Sequence, residues 1–134
     1  MQIVSFVFTK VNTEKLSEVF DKNSEAKTDI KIISVSKEKL DFVSQETLKF
    51  NFSFTVSYAN MGKTSLEGNV IVLDAPEKIE EILNNWQKSN KFNNDVTLPV
   101  INAILYNCNI KALELGHIVN LPAHINLPLL QKSS

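Results

Sequence analysis

From Thr47 to Ala59 the chain alternates almost without fault. Leu48, Phe50, Phe52, Phe54, Val56 and Tyr58 are apolar or aromatic, and Lys49, Asn51, Ser53, Thr55 and Ser57 stand between them. A period of two predicts a strand with one buried face and one wet face. Asn60-Met61-Gly62-Lys63 then reads as a hairpin turn, with Gly62 free to take positive φ, and Thr64–Leu73 as the returning strand. Upstream, Gln2–Thr9 is rich in β-branched and aromatic residues and predicts a strand apolar on both faces. Asp29–Ser36 predicts another, whose Ile32-Ile33 doublet breaks alternation and signals a bulge. Between them, Thr13–Phe20 has helix-compatible spacing and Asp21–Thr28 is polar, which predicts a crossover with one or two helical turns.

After Leu73 the spacing changes. Pro76 occupies a position that suits a first helical turn, Glu77, Glu80 and Glu81 follow near the positive end of the macrodipole, and Ile79, Ile82, Leu83 and Trp86 form an apolar stripe. A second helix is predicted with Asp95 as its cap and Gly116 as its stop. Ile101, Ile104, Leu105, Cys108, Ala112 and Leu115 trace one face of it, and Val96, Val100, Ala103, Ile110 and Leu113 trace another. Two apolar faces on one helix predict burial against the sheet on one side and against a second copy of the chain on the other. Val96, Val100, Ala103, Ile104, Ile110 and Leu113 are therefore the candidate oligomer interface.

Charge sharpens this picture. The last 39 residues carry only Lys111, Glu114 and Lys132, whereas the first 95 carry twenty-six charged side chains. The apolar run is nevertheless broken by Asn102, Asn107, Asn109, Lys111, Glu114 and His117, short of the roughly 20 apolar residues a membrane span needs, so no membrane insertion is expected. The 134 residues predict a single domain over 1–134, with a net charge of −1 that shows no global bias toward nucleic acid. All fourteen cations are lysine, so the bidentate fork used for phosphate and guanine recognition is missing, which disfavours a nucleic-acid partner. A lone Cys108 and the lack of a basic n-region before the apolar start predict a reducing, cytoplasmic setting.

The candidate chemistry is thin. Met61-Gly62-Lys63-Thr64 resembles the end of a phosphate loop, but Ser57 stands where that pattern requires glycine, inside a strand. His117 and His124 have no nearby cysteine or acid to complete a metal site. Cys108 sits on an apolar stripe and reads as a small buried thiol, and Asn51-Phe52-Ser53 is a sequon placed mid-strand. No catalytic constellation, metal site or cofactor site is predicted. The stripe of Phe50, Phe52, Phe54 and Tyr58 reads as sheet core, with lining of an apolar peptide groove as the alternative.

The order of strand, crossover, three-stranded meander, helices and an irregular Leu-Pro tail resembles the SecB family of export chaperones. Leu98-Pro99 at the opening of a long helix resembles the family's proline-opened helix. Leu121-Pro122-Ala123-His124-Ile125-Asn126-Leu127 resembles its closing segment, and Phe8-Thr9-Lys10 the end of its first strand. The short chain and the ending are similar to archaeal SecB-like proteins. The resemblance implies an α+β fold with a four-stranded antiparallel sheet in order 2-3-4-1 and helices on one face. It implies dimers or dimers of dimers that bury the long helix, and ATP-independent capture of unfolded or partly folded polypeptides in apolar grooves. Bacterial members dock the SecA motor through acidic residues just after the first strand and on the fourth. Val11 follows Thr9-Lys10 here, with Lys15 nearby, which argues against SecA docking. The expected function is that of a holdase, with Leu121, Ile125, Leu127, Leu129 and Tyr58 as candidate peptide-binding residues. The alternative is an adaptor of the same fold for one dedicated protein partner, and a small enzyme ranks third.

Overall fold

The computed structural model describes residues 2–17, 26–38, 46–89 and 94–124. Four strands, β1 (Gln2–Lys15), β2 (Lys27–Glu38), β3 (Glu46–Ser57) and β4 (Gly62–Asp74), precede two helices, α1 (Pro76–Ser89) and α2 (Asn94–Ile118). The strands form one antiparallel sheet in order β1-β4-β3-β2, which is the predicted 2-3-4-1 read from its other edge. The alternating strand β3 lies inside the sheet, paired on both sides. Leu48, Phe50, Phe52, Phe54 and Val56 are fully buried, while Lys49, Asn51, Ser53 and Thr55 on the opposite face are half-buried. Both helices pack on the apolar face, α1 over β2 and β3 and α2 over β4, β1 and β3. Fully buried Ile79 on α1, with Val100, Ile104, Cys108 and Ala112 on α2, closes the core.

The predicted bulge is present. Pairing shifts between Ile32 and Ser34, which leaves Ile33 as the extra residue, 56% exposed. Two further shifts break β1 at Val4 and Thr9. Thr9 is therefore not the strand's end: β1 continues to Lys15, and Thr13, Glu14 and Lys15 pair with Thr64, Lys63 and Gly62 rather than forming a helix. The helical spacing misled because β1 is an edge strand whose far half is mostly exposed, so no alternating pattern is required of it. Residues 18–25 of the expected crossover lie outside the described residues.

In the hairpin between β3 and β4, Ala59 is the left-handed residue, at φ 53°, and Gly62 has no positive φ. Gly62 is required by space instead. A Cβ there would lie 2.5 Å from the Glu14 carbonyl oxygen and 2.9 Å from a Leu121 methyl group.

Pro76 opens α1 as predicted, and the Ala75 carbonyl accepts from the Lys78 and Ile79 amides at 3.0 and 3.1 Å. Ile79 and Ile82 are buried, and Leu83 and Trp86 half-buried. Lys37 of β2 fastens this helix to the sheet by bonding Glu80 and standing 3.6 Å from Glu46, and the Glu80 bond leads in raising the Lys37 pKa.

The second helix differs from expectation at both ends. It begins at Asn94, so Asp95 lies inside it and Pro99 is interior rather than opening it. It also runs through Gly116 to Ile118. The left-handed residue that ends it is Asn120, at φ 59°. The Leu121 amide donates to the Gly116 carbonyl at 2.8 Å and the Asn120 amide to that of His117 at 3.2 Å, which is the Schellman arrangement. Gly116 is inside the helix because the Tyr58 hydroxyl would lie 3.2 Å from a Cβ at that position.

Candidate functional site

The Schellman turn sends the chain back along α2 and seats Leu121 in the core, 7% exposed. Pro122, Ala123 and His124 follow as an irregular segment beside the helix. Leu113, Glu114 and His117 of α2 and Leu121, Pro122 and Ala123 of this segment enclose an open groove of about 320 Å³. Its floor is apolar. Glu114 carries the nearest negative charge, ion-paired with Lys111 at 2.9 Å. At the far end His124 Nε2 meets Asn109 Oδ1 at 2.9 Å and ties the segment to α2. A groove this open suits large side chains of a polypeptide; small-molecule sites, which start at a similar volume of about 300 Å³, enclose most of their ligand.

Of the predicted peptide-binding residues, Leu121 contributes to this groove. Tyr58 does not, being 1% exposed in the core. Among the described residues its hydroxyl has no hydrogen-bond partner of ordinary geometry, and burial pushes the Tyr58 pKa up, opposed by the lesser effect of neighbouring Thr64. Ile125, Leu127 and Leu129 lie outside the described residues. Glu114, His117, Pro122 and Ala123 were not among the sequence candidates. The signal that pointed near them was the pair of prolines and the cluster of leucines at the helix-to-tail junction.

The candidate interface divides. Val100 and Ile104 are fully buried against their own sheet, and Ala103 and Leu113 are half-buried. Ile110 is exposed, and the side chain of Val96 lies outside the described residues. The outward side of α2 carries exposed Leu98, Tyr106, Ile110 and Ile118, with Tyr106 at 69% and Ile118 at 74%. A second apolar concentration runs along the free edge strand β1, where Ile3, Val4, Val7 and Val11 are all exposed.

Among the described residues the reactive residue types do not converge. Cys108 is fully buried, and burial pushes its thiol up to about 12, so the nucleophilic thiolate is suppressed. Among the described residues no three His, Cys, Asp or Glu side chains form a group able to hold a metal, and no helix is long and apolar enough to cross a membrane.

No protein-family model matches the chain, and no curated protein does. The fold has a solved counterpart. The chain is similar to the Mycobacterium tuberculosis Rv1957 SecB-like chaperone, solved in complex with a ChAD peptide from the Rv1956 HigA1 antitoxin. The likeness covers 99% of this chain and 92% of that one, with a TM-score of 0.50 and 11% sequence identity. The fold is SecB-like. That neighbour is mycobacterial, so the likeness carries nothing specific to archaeal proteins.

Proposed function

We propose that this chain is an ATP-independent holdase that captures extended apolar segments of non-native proteins. The observation that carries the reading is the open apolar groove between α2 and residues 121–123, formed by Leu113, Leu121, Pro122 and Ala123 on a SecB-like fold. Apolar surface left open on a small soluble domain marks a binding site. A client side chain entering the groove gains about 25 cal/mol for each Å² of apolar area removed from water, with little demand on its sequence. Leu121 forms the inner wall, and Ile125, Leu127 and Leu129 follow it in the chain as further client-binding candidates. Ala103, Tyr106 and Ile110 on the outward side of α2 are the proposed contact between copies, in a dimer or dimer of dimers. Cytoplasmic action without SecA docking completes the proposal.

A second reading is favoured by one observation: the similar mycobacterial protein was solved with a peptide from a single antitoxin. An adaptor built on this fold would protect one partner only. Suppression of aggregation, measured for several chemically unrelated unfolded clients, separates the two. Protection of several clients at near-stoichiometric ratio supports the holdase. If none binds at tens of micromolar the holdase reading falls, and if only one binds the adaptor replaces it. The mass in solution, by light scattering, tests the assembly separately.

A further inference from the structure

The segment that walls the groove is held at two points of different chemistry. Leu121 is a permanent anchor, buried against Gly62 and tied to Gly116 by its amide. His124 is a polar one. Its Nε2 lies 2.9 Å from Asn109 Oδ1, fifteen residues back on α2. An amide oxygen only accepts, so Nε2 carries the ring proton and donates. In the neutral ring Nδ1 is then bare. That nitrogen is buried and, among the described residues, has no hydrogen-bond partner.

The bare nitrogen gives the contact a direction. A neutral ring leaves only an unpaired acceptor out of water. Protonation would place an N–H and a positive charge in the same spot, and a buried donor or charge without a partner is expensive. Opening the segment exposes Nδ1 to water and removes the conflict. We infer that the His124–Asn109 contact is a proton-operated latch on the groove wall, closed while the ring is neutral and released when it gains a proton.

Among the described residues the surroundings do not offer the new proton a partner. On α2 the titratable groups lining the adjoining groove are Glu114 and His117; both are exposed, and Glu114 is engaged with Lys111. On the sheet, Leu121 meets β4 at Gly62, whose charged neighbours Glu14, Lys15 and Lys63 are exposed. Burial is what lowers the His124 pKa. The sign follows from linkage. A ring that resists protonation when latched binds more protons when released, so latch stability is full above the ordinary histidine value near 6.5 and declines as pH falls below it. Acid would open the wall between Pro122 and α2 while the Leu121 anchor stays.

The latch rests on the groove reading for its purpose but not for its test. Cross-relaxation between the His124 ring and the Asn109 side chain is followed by NMR from pH 7.5 to pH 5 in the intact protein without client, and should weaken as pH falls. For a released ring of pKa about 6.5 the opening equilibrium rises by up to about thirtyfold over that range. His124→Gln keeps a donor for Asn109 and cannot titrate, so the contact of its side chain with Asn109 should not change with pH. His117→Gln should behave like the unmodified protein. The proposal is overturned if the His124–Asn109 contact in the unmodified protein does not weaken as pH falls, if that in H124Q weakens equally, or if the amides of β3 and β4 lose exchange protection in step, which would make the event global unfolding. Binding of an unfolded, permanently charge-neutral polypeptide at the two pH values is a separate arm. A working latch with no client bound at either pH would sink the holdase reading alone.

Discussion

Gly68→Ala is the sharpest test of the sheet. Gly68 pairs with Phe52 on one side and Phe8 on the other, on the face that packs against the helices. A Cβ there would lie 2.2 Å from the Val7 carbonyl oxygen, 2.8 Å from Phe52 Cζ and 3.1 Å from Phe8 Cα. The ring contact can be relieved by a small rotation, but the carbonyl belongs to the β1 backbone and cannot swing away alone. Phe52 is also wedged against Phe6 and Phe8, with ring centroids 5.3 and 6.3 Å apart. Overfilling of this kind costs about 1–3 kcal/mol, occasionally more, and a backbone clash belongs at the upper end. Loss of glycine freedom in the unfolded chain returns about 0.4–1 kcal/mol. The net loss should be about 2 kcal/mol, a large part of the 5–15 kcal/mol typical of a domain. With an m-value of about 2 kcal/mol per M, the urea midpoint should fall by about 1 M. Adding Phe52→Leu should not restore it, because the Val7 contact persists. A G68A protein as stable as the parent, or one rescued by the leucine, would refute the placement of β1 against β4 at this point.

Four further outcomes follow from the same packing. Ile104→Lys should cost several kcal/mol in a denaturant titration because it buries an unpaired charge inside one chain, whereas Tyr106→Lys should leave the melt nearly unchanged and shift the light-scattering mass toward a smaller species. Gly116→Ala should be close to neutral alone, since up to about 1 kcal/mol of helix propensity opposes the 3.2 Å contact with Tyr58, and should become stabilising once Tyr58→Phe removes the hydroxyl. Cys108 should resist a thiol reagent at pH 8 in the native protein and react on denaturation; its pKa is raised from 9.0 to about 12, so its stabilising effect is full below 9 and is lost as pH climbs toward 12. Ala123→Asp, at an exposed groove position, should leave the melting temperature within a degree or two and weaken binding of an unfolded client severalfold.

The strand pattern was legible where burial is one-sided and strong. Leu48 to Tyr58 alternate because the helices cover one face of β3 and not the other, and the Ile32-Ile33 doublet showed where that alternation had to slip. The far half of β1 was not legible for the complementary reason. Residues 9–12 and 14–15 are exposed, so no face of that stretch is selected to be apolar and its spacing carries no information about pairing. Glycines misled in a consistent way. Gly62 and Gly116 read as positions for a left-handed backbone, yet Ala59 and Asn120 hold the positive φ angles. Both glycines answer instead to long-range contacts, one to Glu14 and Leu121 and the other to Tyr58, which local sequence does not encode.

The site was harder to read than the fold because α2 is apolar nearly all round. Such a helix gives no single inward direction, so Val100 and Ala103 entered the same predicted face although only Val100 is fully buried by its own chain. The closing segment resolves part of that ambiguity. Asn120 turns the chain back, Leu121 plugs the gap over Gly62, and Pro122 and Ala123 then lie beside Leu113 and His117. The groove therefore depends on the same Leu121 that seals the core, and its wall cannot be removed by truncation without unsealing the sheet. The part beyond that anchor, from Pro122 to the His124–Asn109 contact, is the stretch the proposed latch would move.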